Sequence, residues 1–220
     1  MSEAAERRPI AARQWRSTQA AARWLARQGI GANAISIAGM VCGIAAGLLL
    51  AATAAPSRHA WLLWLLAAAL VQARLLANML DGMVAIETGT ASRLGEIYNE
   101  VPDRVSDSAI LIGLGYAAGG DAVLGYAAAL VAALTAYIRC VGRGAGARQE
   151  FCGPMAKQQR MALVTLVALY GALVDPTQGP FTARPPLGPV TAAAWIIIVG
   201  GLATALRRLR RIAASLGHVP

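Results

Sequence analysis

Between residues 33 and 206 the chain alternates apolar runs with short polar connections, the runs covering 33–55, 60–85, 95–118, 122–141, 161–174 and 190–206. The hydrocarbon core of a bilayer is about 30 Å thick and takes about 20 apolar residues in a helix to cross. These runs are therefore read as transmembrane helices. Composition agrees, with 57% hydrophobic and 14% charged residues, against roughly 25% charged in a soluble domain. The expected fold class is an all-α integral membrane protein of about six transmembrane helices, preceded by an N-terminal cytoplasmic amphipathic helix. In the first run Gly39, Gly43 and Gly47 recur every fourth residue, a face that lets another helix approach closely, within the chain or across a homodimer. Trp61 and Trp64 open the second run where an aromatic belt would anchor it.

The domain reading follows from the same pattern. Residues 1–9 form a disordered lead, and 10–30 a juxtamembrane amphipathic helix. The six-helix membrane domain spans 31–211, and 212–220 is a C-terminal tail. In the lead helix Arg16, Arg23 and Arg27 share one face beside Trp15, Ala22 and Ala26, which suits a helix lying among lipid headgroups; a plain solvated helix is the alternative. Orientation comes from the arginines. Arg7, Arg8, Arg13, Arg93, Arg148 and the tail arginines fall on one side with those of the lead helix, and only Arg58 and Arg184 on the other. The positive-inside rule then places both termini and the 78–107 segment in the cytoplasm, in a multi-pass protein of the inner or plasma membrane. The net charge of +9 points to the anionic inner leaflet as partner. Nucleic acid is excluded by the lack of a basic, aromatic-interleaved module. Three dispersed cysteines and two solitary histidines argue against disulfides and against a zinc site.

One stretch breaks the apolar pattern. Residues 78–107 hold six of the eleven acidic side chains: Asp81, Glu87, Glu96, Glu100, Asp103 and Asp107. Carboxylates at the ends of membrane helices are costly to keep and mark a functional site. Asn78 and Asp81 lie three residues apart, on one helix face; Asn99, Asp103 and Asp107 repeat every four residues and share another. Two oxygen-bearing faces at one depth suit a hard divalent cation, Mg²⁺ or Mn²⁺. Gly82 and Ala85 are small and leave room beside it, and Pro102 removes a helical hydrogen bond just before Asp103.

The run Asn78-x2-Asp81-Gly82-x2-Ala85-Ile86-x8-Gly95-x3-Asn99-x3-Asp103 resembles, without insertion, the signature of the CDP-alcohol phosphatidyltransferases, Asp-x2-Asp-Gly-x2-Ala-Arg-x8-Gly-x3-Asp-x3-Asp. Asn33-Ala34-Ile35-Ser36 is similar to the start of that family's first span. The resemblance implies transfer of a phosphatidyl or related phospho group from a CDP-linked lipid to a small alcohol or polyol phosphate, with release of CMP. It further implies metal at Asn78, Asp81, Asn99 and Asp103, Asp103 as general base, and donor contacts at Asn33, Gly82, Ala85 and Gly95. Arg139, Arg143, Lys157 and Arg160 would hold the acceptor phosphate; keeping a loop cytoplasmic is their alternative role. A homodimer is also implied.

Three signature positions differ: asparagine at 78 and 99, and Ile86 in place of arginine. An asparagine ligates through its carbonyl oxygen without charge. Formal ligand charge falls from four negatives to two, enough for one divalent ion, with a second supported only if Glu96, Glu100 or Asp107 contributes. Those substitutions also motivate the competing expectation, a non-catalytic lipid- or nucleotide-binding membrane module of the same descent.

Overall fold

The computed structural model describes residues 15–90, 93–174 and 188–217, without the side chains of Arg93, Leu94 and Glu96. The lead 1–9, the first residues of the amphipathic helix, Arg184 and the auxiliary side chain Glu96 lie outside the described residues. Among those described the chain is all helical: α1 (Arg16–Arg27), α2 (Ala32–Ala52), α3 (Ala60–Glu87), α4 (Arg93–Tyr116), α5 (Ala122–Gly144), α6 (Lys157–Leu173) and α7 (Pro189–Leu216). Four of them, α2, α3, α5 and α7, are long and apolar enough to cross a membrane. The chain is a multi-pass membrane protein. The lower hydropathy of α4 has a plain cause, since it carries Glu100, Asp103, Arg104 and Asp107.

Helix ends follow local chemistry. Gly29 turns the chain out of α1 at a φ of 73°, a left-handed conformation that costs glycine little. Asp121 caps α5 by accepting from the Leu124 amide at 3.0 Å, two residues after Gly119 at a φ of 70°. No breaker stands between Leu206 and Gly217, so α7 runs on to Leu216 through the tail arginines, and Ile212 packs as a buried residue beyond the expected span.

The bundle is organised by α2. It packs against both α3 and α4, while α3 and α4, though consecutive, touch each other little. Next come α4 on α5, α5 on α7 and α3 on α6, with lighter α4–α7 and α6–α7 contacts closing the bundle, and α1 rests on α3. The glycine face of α2 makes this possible. A Cβ on Gly39 would stand 2.9 Å from Ala77 Cβ of α3, and one on Gly43 2.5 Å from Ser106 Cβ of α4. At Gly47 it would strike the Ala109 carbonyl, next to Gly113. That face is spent inside the molecule, on α3 and α4. Trp64, expected at a membrane interface, is instead fully buried, its indole lying over Gly171 of α6, whereas Trp61 is exposed. A glycine opposite Trp64 leaves a slot that the indole fills, and burying an aromatic of this size outweighs a place in the headgroup region.

Candidate functional site

The ends of α3 and α4 converge through neutral amides. Asn78 Nδ2 donates to Asn99 Oδ1 at 3.0 Å and to Asp103 Oδ1 at 2.8 Å, tying the two helices together. Three of the four signature oxygen bearers thus meet directly. Asp81, one turn further along α3, is held separately: its Oδ2 accepts from the Ser36 hydroxyl of α2 at 2.6 Å, and its Oδ1 from the Gly82 amide at 2.5 Å. Both aspartates are buried.

Cations arrive from three sides. Lys157 Nζ, at the first position of α6, donates to Asp103 Oδ2 at 2.6 Å and to Asn78 Oδ1 at 3.2 Å. Arg74, one turn before Asn78 on α3 and 2% exposed, bonds to Asp103 Oδ1. Arg104 lies 3.6 Å from both Asp103 and Glu100. The chain of pairs continues along α4. Arg139 bonds to Glu100 and sits over the Phe151 ring at 5.4 Å, while Arg160 meets Asp107 at 3.2 Å and the Met155 carbonyl at 3.0 Å. Of the four residues expected to gather on an acceptor phosphate, Arg139, Lys157 and Arg160 are each engaged with a different acid of α4, and Arg143 lies exposed near the end of α5.

The connection between α5 and α6 is pinned to α7. Arg208 donates to the carbonyls of Cys152 at 3.1 Å and Thr135 at 2.7 Å, and Thr204 accepts from the Met155 amide at 2.9 Å. Outside the spans, burial and then the neighbouring Glu150 push the Cys152 thiol up. An apolar cavity of about 490 Å³ opens between α1, α2 and α3, with Ile35, Cys42, Leu76 and Leu80 in its wall.

Three contributors escaped the sequence reading of the site: Arg74, Ser36 and Arg208. Arg74 carried a usable signal, because it precedes Asn78 by four residues and so shares its face. Among the donor-side candidates, Asn33 is exposed in the first turn of α2, Gly82, Ala85 and Gly95 are half-buried, and Ile86 is 64% exposed.

Among the described residues no three His, Cys, Asp or Glu side chains gather to hold a metal ion. The oxygen donors are therefore two carboxylates, Asp81 and Asp103, and two amides, Asn78 and Asn99. By charge and by chemistry they fit one hard divalent ion and not two. Arg74 and Lys157 both pair with Asp103, whereas Asp81 is held by the Ser36 hydroxyl and the Gly82 amide.

The fold is that of a multi-pass helical membrane protein with amide, carboxylate and cation clustered where two of its helices end. No family model matches the chain. It is 31% identical over 208 residues to the phosphatidylinositol phosphate synthase of Mycobacterium marinum, covering 92% of this chain and 82% of the relative. It is 29% identical over 150 residues to the inner membrane protein YnbA of Escherichia coli, covering 68% and 72%. Its fold matches the crystal structure of Mycobacterium tuberculosis phosphatidylinositol phosphate synthase with CDP-DAG bound, at a TM-score of 0.73 and 23% identity, over 94% of this chain and 98% of that one. A structure of the same enzyme in complex with manganese and citrate matches at 0.72 and 22%, over 92% of each chain. The chain belongs to the CDP-alcohol phosphatidyltransferase family.

Proposed function

We propose that this protein is a metal-dependent transferase of phospholipid biosynthesis. It would move a phosphatidyl group from a CDP-linked lipid to an alcohol and release CMP, as its homologues, the phosphatidylinositol phosphate synthases, do. The observation that carries the reading is the meeting of Asn78, Asn99 and Asp103 within hydrogen-bond distance, in the signature's own register. Following the relatives' name, the acceptor is a polyol phosphate, inositol phosphate first.

The reaction breaks the bond from phosphorus to the CMP oxygen, forms one to the acceptor oxygen, and passes the acceptor's proton to a base. Asp103 is that base, since it occupies the signature's last position. Asn78, Asp81, Asn99 and Asp103 would hold Mg²⁺ or Mn²⁺, which supplies charge neutralisation at the diphosphate. Ser36 keeps Asp81 aimed at that place. Gly82, Ala85 and Gly95 leave space for the nucleotide, Asn33 lies at the donor side, and the apolar cavity between α1, α2 and α3 takes an acyl chain. Arg139, Arg143, Lys157 and Arg160 form the cationic side toward the acceptor, with Glu100 and Asp107 as their carboxylate partners. The membrane domain spans residues 31–211 and crosses six times, α1 lies on the cytoplasmic face, both termini are cytoplasmic, and the protein works as a homodimer.

The test is CMP release by purified protein from CDP-diacylglycerol with Mn²⁺, across inositol phosphate, glycerol phosphate and serine. Release that is lost in Asp103→Ala supports the reading; silence across the panel overturns it. The double seating of Arg74 and Lys157 on Asp103 favours one second reading, a non-catalytic lipid- or nucleotide-binding module. That reading expects CDP-diacylglycerol binding with no turnover.

A further inference from the structure

We propose that Lys157 is a tethered cation that competes with the divalent ion for Asp103 and Asn78, and so sets how tightly this site holds metal. The inference rests on the metal-dependent reading above and adds a control that the signature does not contain.

Lys157 Nζ sits on two of the oxygen atoms that the donor set would offer an ion, Asp103 Oδ2 at 2.6 Å and Asn78 Oδ1 at 3.2 Å. An ion on those oxygens would stand close to the ammonium, where the two like charges repel. Charge points the same way. Asp81 and Asp103 contribute two negatives, against two positives from Arg74 and Lys157 and a third from Arg104, which lies 3.6 Å from Asp103 and is shared with Glu100. A divalent ion would add two further positive charges, and removing the lysine charge lowers that excess by one. Burial separates the two cations. The Arg74 side chain is 2% exposed and fixed within α3, whereas that of Lys157 is 16% exposed and hangs on a long flexible stem at a helix end. Lys157 is the one that can withdraw. Its position also needs explaining. A cation at the first position of a helix is opposed by the helix dipole, and α6 has no acid in its first turn to offset this. The seat on Asp103 and Asn78 supplies the compensation, so Lys157 is placed for the cluster and not for its own helix.

Lys157 is the chain's sole lysine, and this makes the test clean. Mn²⁺ affinity of the purified protein in detergent is measured by the electron paramagnetic resonance signal of free Mn²⁺, without substrate. Lys157→Gln should bind at least tenfold tighter than wild type, Lys157→Arg within about threefold of it, and adding Asp103→Asn to Lys157→Gln should abolish the gain. Equal or weaker binding by Lys157→Gln, or no binding by either protein, overturns the proposal. A second measurement needs no variant. Labelling of wild-type protein with an amine-reactive ester, read by mass spectrometry at the Lys157 peptide, should rise with Mn²⁺ concentration as the ammonium is displaced. Unchanged labelling while Mn²⁺ binds overturns the proposal as well. CMP release plays no part in either readout, so failure of the transferase reading and failure of this one are told apart.

Discussion

Arg160 and Asp107 form the most buried ion pair among the described residues, each side chain 3% exposed with 3.2 Å between Nη2 and Oδ2. Removing one partner leaves the other charge buried without its counter-ion, which costs about 3–5 kcal/mol. That corresponds to roughly a hundred- to several-thousand-fold in the ratio of folded to unfolded protein. Arg160→Met and Asp107→Leu should each show a loss of this size in reversible denaturation by SDS from mixed micelles. The double variant Arg160→Met/Asp107→Leu removes both charges and keeps apolar volume, so it should return to within about 2 kcal/mol of wild type. Asp107 Oδ1 and Arg160 Nε have no hydrogen-bond partner among the described residues, which favours that recovery. Two single-variant losses that simply add in the double variant would refute the pairing. If Arg160 instead served only to hold the acceptor phosphate, Arg160→Met would leave the denaturation curve in place and raise the acceptor KM alone.

The remaining expectations are local. Ser36→Ala removes the 2.6 Å bond to Asp81 and should cost about 1.5–3 kcal/mol, as for a hydrogen bond to a charged group, measured by the same denaturation. Asn78→Asp replaces the donating Nδ2 by a second carboxylate facing Asp103, so it should destabilise the metal-free protein by about 1–3 kcal/mol and be rescued by millimolar Mg²⁺ in a thermal unfolding assay. Gly47→Leu forces α2 away from the α4 backbone at Ala109 and should lower the yield of monodisperse protein, with a cost of at least about 1–3 kcal/mol; Leu48→Ala, on the exposed face, should be tolerated. Because burial and Glu150 raise the Cys152 thiol, it stays protonated to higher pH than a free cysteine. In a Cys42→Ser/Cys140→Ser background its alkylation rate should therefore rise at a higher pH than that of glutathione.

The sequence by itself determined what repeats along a helix. Apolar runs long enough to cross a bilayer set the helices and most of their ends, because length and hydropathy are local properties. The three- and four-residue spacings put Asn78 beside Asp81 and Asn99 beside Asp103, since turn geometry places such residues on one side of a helix; Asn78 meets Asn99 and Asp103, while Asp81 is held by Ser36. Only the tertiary structure decided what those faces meet. The glycines of α2 announced a close approach, but that α3 and α4 both use it depends on how the whole bundle packs. Trp64 fitted a membrane interface equally well until Gly171 opened a slot opposite it. Lys157 read as part of a basic loop, and its seat on Asp103, 54 residues away in sequence, exists because α6 is brought against α3. A charge's partner is set by the neighbour that removes it from water, and no local spacing names that neighbour.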